Sequence, residues 1–416
     1  MTTKSSPASN DDAIVILGGG PAGMACALAL IKVGFKVRVF ERYDRARPAG
    51  NILNLWPPPI HALKCMGVDV EDLGAPCRAS FRNASGHVRA DVKLPQDVLD
   101  KYGGGFIGLL RRDLYVRMLE ALPAGTVEFG RQVVAIEDLG RRVELTLQDG
   151  SVVATPLLVG ADGIDSTVRR HLWGPAPKRP HNLIIIGGFT FTDAVRTELN
   201  ECVVAHNPQV QGTYTTILSG GRRGHQWWLL QAWPESRPDP DKLKERALAG
   251  AAGFPHGPLR DLVAATPAEN MQTWRIRDRE PLPRWSRGRI TLAGDAAHAT
   301  SPYAAYGAGM SICDGYFLAK LLRGTPLDDT EAVAGALRQY DACRIPHTSE
   351  QVNLAYFLGR MFHQVPWPLT VARDLVLDWT GLLQREVGER SPGEIVKQLD
   401  EMGEGLESEG LESDGL

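Results

Sequence analysis

Residues 13–17, AIVIL, form a continuous apolar run, which predicts a short strand covered on both faces, as in a parallel sheet. GGGPAG follows, then MACALALIKVG, an apolar helix closed by Gly34. KVRVFE (36–41) predicts a second strand, so the chain opens as a βαβ unit. The prolines at 57–59 are expected to interrupt regular structure, with HALKCMG starting a helix after them. Residues 77–94 pattern as a hairpin with Gly86 in its turn. RRDLYVRMLEAL (111–122) predicts a helix, and 127–163 reads as repeated short strands with turns at Gly140 and Asp149–Gly150.

Between 183 and 282 the texture changes. LIIIGGFTF, GTYTTILSG and HQWWLLQAWP are rich in β-branched and aromatic residues and predict strands, with a helical insertion over 240–270. Residues 291–322, TLAGDAAHATSPYAAYGAGMSICDGYFLAKLL, return to strand, loop and helix, and the chain after them is mostly helical. The fold class is therefore α/β. A Rossmann-like domain (11–76, 105–182 and 283–360) is interrupted by a β-rich domain (77–104 and 183–282), and helices (361–400) and an acidic tail (401–416) follow.

The 416 residues fit two or three domains. An apolar share of 43% is enough for a sizeable core. Net charge is 46 − 49 = −3, which gives no electrostatic case for a nucleic acid partner. The six cysteines are scattered without a CxxC pair or a metal-ligand cluster, so reduced thiols, a cytoplasmic location and no metal are expected. The polar start MTTKSSPASNDD is not expected to be a signal peptide, and no apolar run is long enough for a membrane span. GEGLESEGLESDGL is expected to be disordered.

The chemistry begins at Gly18-x-Gly20-x-x-Gly23, between a strand and a helix. Such glycines allow a tight turn and close approach to a pyrophosphate at a helix start, where free N–H groups and positive potential await it. Glu41, ending the second strand, stands at the spacing of an acid that binds ribose hydroxyls. These residues predict dinucleotide binding and leave NAD and FAD open. Two further strand ends carry acids: Asp162 and Gly163 in GADGIDSTVRR, and Asp295 in GDAAH, which runs on to Gly307 and Gly309.

GGGPAG with Glu41, GADGIDSTVR and GDAAHATSP, in that order, resemble the single-component FAD-dependent aromatic hydroxylases, the p-hydroxybenzoate hydroxylase-like family, over about residues 12–360. The resemblance implies that Gly18, Gly20, Ala22, Gly23 and Glu41 hold the ADP half of FAD, with Arg42, Arg47, Arg111 and Val133 as further contacts. It implies that Asp162 and Gly163 serve FAD and NAD(P)H, that Asp295 meets the ribitol or pyrophosphate, and that Pro302, Gly307, Ala308 and Gly309 line the flavin ring. It also implies the reaction. NADH or NADPH reduces FAD, O2 gives a flavin C4a-hydroperoxide, and one oxygen atom passes to an aromatic or polycyclic small molecule in a monomer or homodimer. A flavin dehydrogenase or oxidase on the same fold, and a flavin-binding protein without turnover, are the alternatives. No second strand–GxGxxG–helix unit exists, which disfavours a disulfide reductase, and the WxWxIP motif of flavin halogenases is absent.

The family's run after GDAAH is P-x-x-G-Q-G; here Ala305 and Tyr306 replace the glycine and glutamine, and Cys313 replaces an acid ahead of Asp314. Tyr306, His225 and Tyr214 are the candidate catalytic residues. Alternation in HQWWLLQAWP puts His225, Trp227, Leu229, Gln231 and Trp233 on one face and Gln226, Trp228 and Leu230 on the other, and which face meets the flavin is left open. His298 reads as a structural residue at a helix start.

Overall fold

The computed structural model describes residues 12–47, 53–102, 105–195, 197, 200–304, 306–403 and 405–406. The acidic tail beyond them and Ala305 lie outside the described residues. β1 (Ile14–Leu17) is buried along its whole length and leads into α1 (Pro21–Lys32), whose proline sits in the first turn, where no N–H is missed. β2 (Val37–Glu41) follows, then β3 (Leu53–Leu55) and α2 (Pro57–Cys65). Here the structure departs from expectation. Pro57, Pro58 and Pro59 open α2 instead of breaking the chain, because first-turn residues have no helical N–H acceptor to lose. β4 (Ala75–Asn83) and β5 (Val88–Asp91) are the predicted hairpin, with Gly86 at φ +88°.

α3 (Gln96–Tyr102), β6 (Phe106–Leu109) and α4 (Arg111–Ala121) come next. The predicted short strands are β7 (Val127–Phe129), β8 (Val133–Asp138), β9 (Val143–Leu147), β10 (Val152–Thr155) and β11 (Leu158–Gly160), and α5 (Thr167–Trp173) follows. The β-rich region holds β12 (Arg179–Thr190), β13 (Glu201–His206), β14 (Val210–Ser219) and β15 (Arg222–Ala232). The helical insertion is α6 (Leu243–Ala251) and α7 (Leu259–Ala265), before β16 (Met271–Asp278). β17 (Ile290–Leu292), α8 (Asp295–His298) and α9 (Gly307–Leu322) complete the motif region, and α10 (Thr330–His363), α11 (Leu369–Trp379) and α12 (Arg390–Met402) end the fold.

The first sheet has the order β17-β11-β1-β2-β7, all parallel, so its carboxyl ends lie on one edge. β8, β9 and β10 form a small antiparallel sheet, and a nine-stranded sheet runs β16-β12-β15-β14-β13-β4-β6-β3 with β5 beside β4. The texture change at 183 falls inside β12, which begins at Arg179. However, β3 and β6, from segments assigned to the Rossmann-like part, also join the nine-stranded sheet, Leu53 opposite Leu109. These strands are three and four residues long, too short to show a pattern.

α1 and α9 pack side by side in the same direction. A side chain on Gly294 would strike Ala22 and Ser311, and one on Gly315 would strike the backbone of Ala25 and Cys26. Both helices therefore start at the carboxyl edge of the parallel sheet. No helix among the described residues is long and apolar enough to cross a membrane.

Candidate functional site

The crevice at that carboxyl edge collects most of the predicted positions. Gly18 leaves β1 at φ +106°, and a Cβ there would come within 2.3 Å of the Ala161 carbonyl at the end of β11. A Cβ on Gly23 would lie 1.8 Å from the Gly18 carbonyl, so both positions require glycine to close the turn. Gly20 differs. It is the residue before α1, its φ is −80°, and nothing lies within 4 Å of the place a Cβ would take. No side chain caps α1. Its first-turn N–H groups thus face open space, as an anion site at a helix start requires.

Glu41 ends β2 beside this turn. Its Oε2 accepts from the Gly19 N–H at 2.7 Å and its Oε1 from the Tyr43 N–H at 3.0 Å. A carboxylate so held keeps lone pairs for two hydroxyl donors. Arg42 and Arg47 are exposed at the rim and flank the Tyr43 ring at 5.1 and 3.9 Å. Val133 starts β8 with its side chain in the core, and the turn before it is tied to the crevice by Arg131 N–H donating to the Glu41 carbonyl at 2.9 Å.

At the end of β11, Asp162 Oδ2 accepts from the Thr167 N–H at 2.6 Å. Its Oδ1 is buried without a partner, and burial raises the carboxyl's pKa against the pull of Ser166 and Thr167. Gly163 follows at φ +80° with open space around it. Asp295, first residue of α8, is open to the crevice on one side. The protein surrounds it closely enough that burial still raises its carboxyl, against His298 and Arg111. Arg111 begins α4 and brings its charge to bear on Asp295 from there. Arg169 clamps the back of the turn, donating to the carbonyls of Ala296, Ala297 and Glu280.

Behind α8 lies a buried ion network. Asp314 Oδ2 accepts from the Gly294 N–H at 2.8 Å and stands 2.5 Å from His298 Nε2, while Oδ1 accepts from Arg344 Nε at 2.9 Å. Burial raises the Asp314 carboxyl, but His298 and Arg344 outweigh it and bring it down to about 2. His298 therefore holds Asp314, as its structural reading implied. Sequence reading missed Arg344; the signal was an arginine set in the apolar frame of a helix, followed by Pro346.

α9 begins at Gly307, and no side chain caps it. Gly307, Ala308 and Gly309 form its first turn, and a Cβ on Gly309 would strike the Tyr306 ring at 2.6 Å. Pro302 is exposed just ahead. The residues fit FAD on this structure's own terms. Two uncapped helix starts, an open glycine, a ribose-type acid and an orphaned buried carboxylate oxygen surround one crevice.

The three candidate catalytic residues do not gather there. The outer face of the nine-stranded sheet carries Tyr214, Trp227 and Leu229, which pack in one cluster with Leu259, Leu262 and Ala247 of α6 and α7. Tyr214 donates to Glu201 at 3.1 Å on that face. His225 is two residues from Trp227 on the same face and pairs with Thr197 Oγ1 at 2.7 Å. Both are corrections, because helices cover the face the sequence left open as a pocket wall. The inner face carries Gln226, Trp228 and Leu230, which pair across to Thr215, Thr213 and Gln211. Tyr306 is buried rather than set in the crevice. It stacks on Trp56 at 4.7 Å, and its hydroxyl donates to Gln398 of α12 at 2.6 Å. Burial pushes its phenol well up, so it is no base at neutral pH.

Comparison with known proteins agrees with this geometry. The FAD binding domain family matches residues 11–355. A 3-amino-4-hydroxybenzoate 2-monooxygenase from Streptomyces cremeus is 31% identical over 88% of this chain and 91% of its own length. A 6-hydroxynicotinate 3-monooxygenase from Bordetella bronchiseptica is 29% identical over 82% and 90%. The crystal structure of Klebsiella pneumoniae HpxO with FAD and uric acid superposes with a TM-score of 0.79 at 24% identity, covering 94% of this chain and 97% of that one, and shows a shared fold.

Proposed function

From the premise that this chain belongs to the FAD binding domain family and is an FAD-dependent monooxygenase using NAD(P)H and O2, we propose that its substrate lies between the start of α9 and the inner face of the nine-stranded sheet. One observation carries this reading. The parallel helix starts of α1 and α9 open on one crevice, and the sheet face toward it sets buried Gln211, Thr213, Thr215 and Gln226 beside apolar Leu230, Ile185 and Phe189. The α1 start, Glu41, Arg42, Arg47 and Val133 hold the adenosine diphosphate half of FAD. Asp162, Gly163, Asp295, Arg111 and the residues from Pro302 to Gly309 hold the rest. FAD supplies the redox chemistry and O2 activation when bound.

The chain's own residues orient and seal. The uncapped N–H groups of α9 place positive potential where negative charge on the ring is favoured. Asp314 and Arg344 fix Gly294, and so the approach of Asp295. The bulk of α10 and the nine-stranded sheet exclude water from the reacting centre. The substrate is a small aromatic molecule, in line with the hydroxybenzoate, hydroxynicotinate and urate hydroxylases among the relatives. The free thiols fit a cytoplasmic enzyme, acting as a monomer or homodimer. The test is purification with bound flavin, then a panel of aromatics scored by stimulated NAD(P)H consumption and by label from isotopic O2 in the product. Consumption without labelled product for every compound would make this a dehydrogenase or oxidase.

A further inference from the structure

α11 is built inside out. Its charged residues are Arg373, Asp374 and Asp378, and all three turn toward the protein. Arg373 pairs with Asp374 at 2.8 Å and donates to the Phe362 carbonyl at 2.8 Å. The buried Arg89 of β5 meets Asp378 at 2.6 Å and Asp374 at 3.5 Å. Thr370 and Leu377 are buried on the same side. The opposite face is apolar. Leu369, Val371, Leu375, Val376, Trp379 and, just past the helix end, Leu382 are all exposed, at spacings that make one stripe. A surface helix ordinarily lays such a stripe on the core. Here the ion pairs fix the reverse. Rotating α11 to bury the stripe would pull Asp374 and Asp378 from Arg89 and leave a buried charge unmatched.

The stripe is large. Trp379 is 83% exposed and Trp367, in the turn ahead of α11, 78%. Rings of that size hide about 250 Å² each when covered, so the pair leaves roughly 400 Å² open. The aliphatic side chains of the stripe, each about half exposed, add about 200 Å². The total, about 600 Å² of apolar surface, stands at the upper end for the largest patch of a monomer. It covers the apolar share of one side of a standard interface, which is about 800 Å² per partner and a little over half apolar. Trp367 also lines a groove of about 680 Å³ with Asn207, Pro208, Gly253 and Pro255, so a protruding face and a hollow lie side by side.

We propose that two copies of this chain join here as a homodimer, α11 against α11 about a two-fold axis. An uncharged stripe meets its own copy without bringing like charges together, as an isologous contact requires. The helical segment beyond it carries both signs, Arg390 meeting Glu386 at 3.6 Å and also Glu350, which suits the polar rim of a protein contact. A lipid surface is the other chemistry an apolar helix could meet. A helix lying on a membrane presents lysines and arginines beside its apolar face. The basic residue of α11 is Arg373, turned inward to Asp374, and the net charge of the chain is −3. This dimer goes beyond the substrate reading above and does not depend on it.

The test uses the full-length, FAD-loaded protein. Light scattering after gel filtration at micromolar concentration should give twice the 45.4 kDa mass of the chain. Oxidative footprinting of the same sample should find Trp367 and Trp379 protected in the dimer and labelled after dilution to monomer. Trp379→Glu should raise the dimer dissociation constant by about a hundredfold or more with bound flavin retained. Val152→Glu, the same kind of change on an exposed strand of the small sheet, should leave that constant unaltered. A monomer at that concentration, a dimer whose two tryptophans stay open to label, or flotation of the protein with vesicles of phosphatidylcholine and phosphatidylglycerol would each overturn the proposal. Mass, footprint and flotation are read on the unaltered protein, so the outcome stands whether or not either variant folds.

Discussion

Asp314→Asn tests the buried network behind the flavin-side turn. The carboxylate holds three donors, from Gly294, His298 and Arg344, and both Asp314 and Arg344 are almost wholly buried. Removing the negative charge leaves the guanidinium of Arg344 uncompensated away from water, which costs about 3–5 kcal/mol. An unfolding entropy of about 2 cal/mol/K per residue comes to roughly 0.9 kcal/mol/K for a chain of this length, so the midpoint should fall by about 3–6 °C. The double variant Asp314→Asn with Arg344→Met removes both charges and should recover more than half of the loss. pH supplies a second reading. The folded Asp314 carboxyl sits at about 2, below its ordinary 3.8, so the unfolded chain binds the proton first as pH falls. Its contribution, about 2 kcal/mol, is complete above pH 4 and is lost as pH drops from there toward 2. Differential scanning fluorimetry of the variants between pH 3 and 8 measures both effects. A shift below 1 °C for Asp314→Asn at pH 7, or a double variant no better than the single, would refute the claim that the pair is held by mutual charge.

Gly18→Ala and Gly20→Ala separate folding from cofactor binding. The first puts a Cβ at φ +106° against a carbonyl and should unfold or yield little protein, whereas the second has room and should keep its melting point while losing roughly tenfold in FAD affinity, read by flavin fluorescence. Tyr306→Phe removes one hydrogen bond to Gln398, at about 1 kcal/mol, and should leave kcat within about threefold; a loss of a hundredfold would restore it to catalysis. Tyr214→Phe and His225→Gln should change stability alone, whereas Trp228→Ala on the inner face should raise KM.

How much of this was legible in the chain depends on the range over which each signal acts. Gly20 and Gly23 announce themselves because their constraint is local, an open helix start and a turn closed on the Gly18 carbonyl, while Gly18 belongs to the same short motif although the carbonyl it meets is that of distant Ala161. Asp162 and Asp295 could be placed for a similar reason, since each stands next to a glycine just beyond a strand end. β15 shows the limit. Period-two alternation divides HQWWLLQAWP into two faces correctly, but nothing within the strand tells which face α6 and α7 will cover, because both faces are apolar enough to be buried. That choice is made by contacts across many residues, Trp227 and Leu229 against Leu259 and Leu262.

Tyr306 shows the same limit in the opposite sense. Its place beside the flavin-side glycines made it a candidate for chemistry, yet its ring is held by Trp56, just ahead of α2, and its hydroxyl by Gln398 from α12, both far away in sequence. A tyrosine at that position fixes the C-terminal helix against the start of α9, and this gives the replacement of the family's glutamine by Tyr306 a structural reason.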